Sequence, residues 1–330
     1  MSHHLFLYIC TNVKKLIMGI IDRTILINRL AKIKYLYNIG LKQSKQVGAF
    51  AGFSILSFHD SAEMFLLLVL EDKGDPRPKS KQADKISFMG YWNLFEDLTL
   101  KESMNNLKER RKNIKHKGLF PSKSDIEESR ITIMQFFREN VKIQFGLEFD
   151  DISLADLIEY NNIKNYIRKS EELLSLGKTY DCLLNAKIGF EELLVTYESD
   201  KRQWRDSIFS IGKKVGTDYR RLVTSDKDGR KWFEEVTMTS NAIRDILRIS
   251  AMGIDYRKYA LFEFITPRVI ETCGIGDDKY AKEDREHFEL TKSIKQEDCQ
   301  FCIDFVIDST LKLQEFDFNI GKYIKEQQTI

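Results

Sequence analysis

Apolar residues recur at steps of three and four along most of the chain, the spacing of amphipathic helices rather than of strands. Residues 25–42 are rich in apolar side chains, carry interspersed basic ones and contain no proline, so they predict a helix. Residues 49–71 are apolar on most faces, interrupted before the end only by Ser54, Ser57, His59, Asp60, Ser61 and Glu63. Such a segment reads as a central, buried helix. Residues 73–82, KGDPRPKSKQ, hold two of the chain's four prolines and read as a loop. Leu100, Met104, Leu107, Arg111 and Ile114 then form one stripe of a helix over 99–115, which stops at Gly118 with Pro121 beyond. Ser124-Asp-Ile-Glu127 has the S-x-x-E form of a capping box and opens the next helix, which runs to about Phe145.

Residues 146–151 break the pattern, and the domain boundary is placed there, giving units 1–147 and 148–330. In the second unit, helices are predicted over 153–177, 180–198, 204–223, 232–252, 256–272 and 298–313. Pro267 should kink or split the 256–272 helix, because proline removes a helical donor. Residues 227–230 and 274–278 read as turns, and no strand ladder is evident. Leu176-Gly177-x-x-Tyr180 with Ala186-x3-Phe190 resembles part of a tetratricopeptide helix pair. No second copy follows, so the pattern is read as a single helical hairpin.

Composition agrees with an all-α globular chain. Among 330 residues, 42% are hydrophobic and 31% charged, which excludes intrinsic disorder. Only four prolines over this length favour long helices over a turn-rich β protein. The chain also exceeds the ~250–300 residues at which a single core tends to split, so two domains are expected. No run reaches the ~18 apolar residues of a membrane span. The nearest approach, residues 5–21, is cut by Lys14 and Lys15 and lacks the flanks of a secretory signal. Five cysteines, an odd number, with no such signal point to free thiols and a cytoplasmic location without membrane attachment.

Charge is distributed unevenly. Residues 1–50 carry eight basic side chains and one acid, a local +7 that leaves −5 for the remainder of a chain whose net charge is +2. A second basic cluster, KERRKNIKHK over 108–117, has six Lys or Arg and one Glu. Local basic patches on a near-neutral protein suit a polyanionic partner, and the plainer alternative is a solvated helix face.

That cluster also carries the candidate chemistry. The segment from Leu107 to Pro121 holds Arg110, Arg111, Asn113, His116 and Gly118, and it resembles the signature of the HEPN superfamily. In that signature an Arg is followed, four to six residues on, by a His near a helix end. The match here is Arg111-x4-His116, with Arg110-x5-His116 as an alternative register. Lys112 stands directly after Arg111, where many members have Asn, Asp or His, and Asn113 comes one later. The upstream Asp60-Ser-Ala-Glu63 looks like the buried helix of such domains. The resemblance covers about residues 20–147. It implies an all-α, homodimeric domain of a kind often found as metal-independent ribonucleases in toxin, CRISPR and phage-defence systems. It further implies catalytic roles for Arg111, His116 and Asn113, RNA contacts from Arg110, Lys112, Lys115 and Lys117, and support from Asp60, Glu63 and Glu109. Neither metal nor cofactor is expected. The implied partners are RNA, a second copy of the chain and an antitoxin or defence-system protein. Members modified by nucleotidylation carry a Tyr two residues after the His; Gly118 stands there, so that subtype is not expected.

The chemistry fits these residue types. Breaking a ribose–phosphate bond without a metal requires a base for the 2′-hydroxyl proton and a cation over the developing charge on phosphorus. Imidazole changes protonation near neutrality, and guanidinium offers a bidentate fork for phosphate. Five residues along a helix turn Arg111 and His116 about 140° and ~7.5 Å apart. Either the helix unwinds over 113–118 or two copies face each other across a two-fold axis.

Other signals carry less. Cys299-x-x-Cys302 with Cys273 and His287 offers four zinc-ligand types, but the helical spacing predicts buried structural thiols. His59 on so apolar a helix is read as a hydrogen-bonded core group. No P-loop or GxSxG motif is present. The competing functional class is a non-catalytic helical interaction module that uses the basic helix as a docking face.

Overall fold

A computed structural model describes residues 19–203, 206–209, 227–272 and 279–320. The chain divides into two compact units, Met1–Leu157 and Ile158–Ile330. Phe149 and Ile152 belong to the first core, so residues 148–157 pack with the first unit rather than opening the second.

The first unit is built on α1 (Arg23–Ser44) and α2 (Ser54–Lys73), joined through a 3-10 turn at Gly48–Phe53. The Asp22 carboxylate starts α1 by accepting from the backbone N–H groups of Thr24 and Ile25. Within α2, Ile55, Phe58, Ala62, Phe65, Leu66, Leu68 and Val69 are all completely buried. Phe65 lies edge-on to Phe136, Phe137 and Phe145 at ring separations of 5.5, 5.9 and 5.8 Å. A Cβ on Gly40 would come within 2.5 Å of the Phe58 ring, so the close approach of α1 to α2 depends on that glycine. Counting the 3-10 turn, Gly48–Lys73 is by length and composition alone apolar enough to cross a membrane, its most apolar 18-residue window having a mean hydropathy of 1.5. Of that window, 61% is buried among its neighbours, as in the core helix of a globular unit. Residues 1–18 lie outside the described residues.

After the loop come the short α3 (Tyr91–Leu94), then α4 (Lys101–Lys117) and α5 (Lys123–Phe145), both packed on α2. Leu100 precedes α4 in the left-handed region at φ 59°. Asn140, fully buried on α5, fixes this point: its Oδ1 accepts from Thr99 N–H at 3.0 Å and its Nδ2 donates to Thr99 Oγ1 at 2.9 Å. The far end of α4 closes on Gly118 at φ 64°, whose N–H donates to Ile114 O while Leu119 N–H donates to Asn113 O. The capping box of α5 is Ser122 with Asp125, two residues before the S-x-x-E pattern expected at Ser124 and Glu127. Ser122 takes the cap because its extended backbone lets its hydroxyl accept from Asp125 N–H.

The second unit opens with α6 (Asn161–Ser175) and α7 (Thr179–Glu198), a helical hairpin turning at Gly177. The helix expected over 153–177 thus starts later, after a separate 3-10 turn at Leu154–Leu157. Residues 227–230, expected as a turn, are the first turn of α8 (Lys227–Ala251). Next, α9 (Tyr256–Ile265) ends two residues before Pro267. The chain beyond forms β3 (Val269–Glu271), paired antiparallel with β4 (Tyr280–Lys282). A second pair, β1 (Arg202–Gln203) with β2 (Asp206–Ser207), also departs from the strand-free expectation. The helix expected over 204–223 and the turn at 274–278 lie largely outside the described residues. Finally α10 (Arg285–Thr291) leads to α11 (Gln296–Glu315), which packs on α6, α7 and α9. Phe190, Phe262 and Phe305 form the aromatic centre of this unit, with Cys182, Cys299 and Cys302 buried. The class is all-α, with two minimal antiparallel pairings among the described residues.

Candidate functional site in the first unit

A cleft of about 410 Å³ lies between α2, α4 and the segment 85–88. From α2 come His59 and Glu63; from α4 come Lys108, Arg111, Lys112 and His116; Lys85, Ile86, Ser87 and Phe88 form the remaining wall. The α4 residues face one way because 108, 111, 112 and 116 follow helical spacing. Four cationic side chains against one carboxylate make the lining basic, which suits an anionic ligand.

Arg111 and His116 therefore border the same cleft within one chain. The helix stays intact to Lys117, so local unwinding over 113–118 does not occur. Arg111 is three-quarters buried, and its Nε lies 3.4 Å from Asp60 Oδ1. His116 is exposed at the last turn. The Asp60 carboxyl is held below the usual carboxylate range, first by the adjoining His59 and then by the charges of Arg111 and Lys115, against a burial effect of opposite sign.

The remaining expected residues are placed differently. Arg110 points to α5, where it donates to Ser129 Oγ at 3.0 Å, Asp125 Oδ1 at 2.9 Å and Glu128 Oε2 at 2.6 Å. These contacts make it a clamp between helices, and it does not line the cleft. Asn113, Lys115 and Lys117 are also absent from the lining; Lys115 and Lys117 are exposed, and the Asn113 carbonyl closes the helix end. Glu109 pairs with Lys108 at 3.1 Å and Lys112 at 3.7 Å. The Lys108 contact leads in holding its carboxyl below the usual range.

His59 is the wall that the sequence reading set aside. It is only 2% exposed, and its ring lies 4.1 Å from that of Phe88. Neither ring nitrogen has a hydrogen-bond partner, which departs from the satisfied core histidine expected. Nδ1 faces two carboxylates, Asp60 Oδ1 at 3.6 Å and Glu63 Oε2 at 3.9 Å. The donor atoms of His59, Asp60 and Glu63 all lie within 4.8 Å of one another, a grouping compatible with a metal ion. The available signal was the i, i+1, i+4 spacing of one imidazole and two carboxylates. In the second unit, Cys299 and Cys302 are buried in the core with Cys182, whereas the His287 side chain is 69% exposed and Cys273 lies outside the described residues.

No family model, curated protein or solved structure matches the chain.

Proposed function

We propose that the first unit is a HEPN-like, metal-independent endoribonuclease of the toxin or phage-defence type, acting as a cytoplasmic homodimer. The observation that carries this reading is the placement of Arg111 and His116 on one basic cleft at the end of α4. Imidazole takes the 2′-hydroxyl proton, the 2′-oxygen bonds to phosphorus, and the bond to the 5′-oxygen breaks. The leaving oxygen takes a proton from the second copy's imidazole, giving a 2′,3′-cyclic phosphate and a 5′-hydroxyl. Arg111 places its guanidinium on the charge gathering at the phosphate oxygens. Lys85, Lys108 and Lys112 supply cations to flanking phosphates, with Lys115 and Lys117 further out on the same helix. Single-stranded loops suit the site best, since their backbone bends in line. The second unit is an accessory bundle for regulation or for an antitoxin or defence-system partner.

One observation favours the competing, non-catalytic reading. Phe50, Leu119 and Phe120 are 66%, 59% and 44% exposed, and the latter two follow the glycine that ends α4, which supports a protein-docking role for that end of the helix. The test uses an RNA oligonucleotide cleaved in EDTA and a copy carrying one 2′-deoxy substitution at the cleaved position. The nuclease reading expects cyclic-phosphate ends from the first and no cleavage of the second at that bond. Cleavage of the deoxy bond would rule out attack by the 2′-hydroxyl, and no cleavage of any RNA supports the docking reading.

A further inference from the structure

We propose that His59, Asp60 and Glu63 form a binding site for a divalent transition-metal ion of the zinc class. The inference starts from the unsatisfied imidazole. A histidine 98% removed from solvent ordinarily finds a hydrogen-bond partner, and leaving one out carries a desolvation cost. Both nitrogens of His59 go without. Its Nδ1 is nevertheless aimed between two carboxylate oxygens, at 3.6 and 3.9 Å, just beyond hydrogen-bonding range.

Those separations match the edge of a coordination polyhedron. Nitrogen and oxygen ligands about 2.0–2.2 Å from a tetrahedral zinc stand about 3.4 Å apart. The three donor atoms lie within 4.8 Å of one another, so closing on an ion takes rotation of the two carboxylates. Both have that freedom: the side chains of Asp60 and Glu63 are 46% and 30% exposed. The imidazole is the fixed member, held by Phe88 against its ring. His59 and Glu63 share a helix face at i, i+4, and Asp60 reaches in from the adjacent position.

Charge and donor type select the ligand. Two carboxylates lie nearest the imidazole, and Arg111 pairs with Asp60 at 3.4 Å, as a hydrogen-bonding group behind a ligating carboxylate does. Lys108 and Lys112 line the same cleft, and each also pairs with Glu109, at 3.1 and 3.7 Å. One imidazole with two carboxylates suits a borderline ion such as zinc over magnesium or calcium, which prefer oxygen alone. Three protein ligands leave a fourth position on the cleft side. The proposal does not rest on the nuclease reading, whose proton transfers use His116 and proceed in EDTA.

The test is equilibrium dialysis of the full chain against zinc chloride in a His3→Ala/His4→Ala background, which removes the N-terminal histidines as competing ligands. The parent should bind zinc at a site that is weakened about tenfold or more by Glu63→Gln and by Asp60→Asn. Magnesium chloride in the same cells should show no such site. Thermal melting of the zinc-free proteins verifies that these half-exposed substitutions leave the fold intact. The ring ¹⁵N resonances of His59 should shift on zinc addition in the parent and not in Glu63→Gln. Zinc uptake unchanged in both variants, an unshifted His59 ring, or no uptake by the parent overturns the proposal, whatever the RNA assay shows.

Discussion

Arg111 Nε and Asp60 Oδ1 stand 3.4 Å apart, an ion pair that joins the basic helix α4 to the core helix α2 at the edge of the cleft. The pair fixes where the guanidinium sits, and, after the adjoining His59, it adds to the first unit's dependence on acid. Because the folded state holds the Asp60 carboxyl below its ordinary range, its ionised form stabilises the fold. That contribution is present above the unfolded value, about 3.9, and is lost as pH falls through the lower folded value. Asp60→Asn should therefore cost a few tenths of a kcal/mol at neutral pH, the scale of a half-exposed pair. The gap to wild type should close below about pH 4, as read by urea titration at several pH values.

Arg111→Lys keeps the charge and loses the planar fork. With the nuclease reading, cleavage by this variant should fall by about a hundredfold, the scale of removing one oriented donor from a developing oxyanion. Melting should change little. Initial rates on a defined RNA in EDTA measure the effect.

Arg110 and Lys112 should separate stability from binding. Arg110→Ala removes the α4–α5 clamp to Ser129, Asp125 and Glu128 and should cost about 1–2 kcal/mol of stability. It should leave the salt dependence of RNA binding unchanged. Lys112→Ala should do the reverse: stability stays within about 0.5 kcal/mol, and the slope of log affinity against log salt falls by about one. Denaturant melts and filter binding at several salt concentrations distinguish the two.

Lys187, 4% exposed, is, like Lys201 at 1%, a buried cation of the second unit. Burial alone would lower its ammonium, but Glu191, at 2.7 Å, and Glu263 outweigh it and raise it above the ordinary lysine value. Its stabilisation is therefore full at neutral pH and is lost only as pH rises through that raised value. Lys187→Ala should cost about 2–3 kcal/mol, because two partly buried carboxylates lose their cation. Lys187→Met, which keeps the packing volume, should cost less, as calorimetry of the intact chain would show.

Much of the helical architecture was legible because its signals are local. The apolar faces of α2 and the stripe from Leu100 to Ile114 place both helices, and Gly118 ends α4 at a positive φ that glycine adopts without strain. The capping box was misplaced by two residues, because Ser122 and Ser124 offer the same chemistry and only backbone geometry chooses between them. Strands of two and three residues are too short to show a period, so both pairings were missed. Within the site, the basic face of α4 was legible from its charges. Arg110 was not, because its partners lie 15 to 19 residues away on another helix. His59 was hidden for a related reason: the ring against it belongs to Phe88, 29 positions further on, and only the folded chain brings the two together.

The most direct test of the central claim is the rate of cleavage of one defined RNA in EDTA by wild type, Arg111→Ala and His116→Ala, each verified as folded. The account predicts measurable cleavage by wild type and a loss of about a hundredfold or more in each variant. Equal rates in all three would show that the guanidinium and imidazole at the end of α4 do not perform the reaction, and no cleavage by any of them would remove the reaction itself.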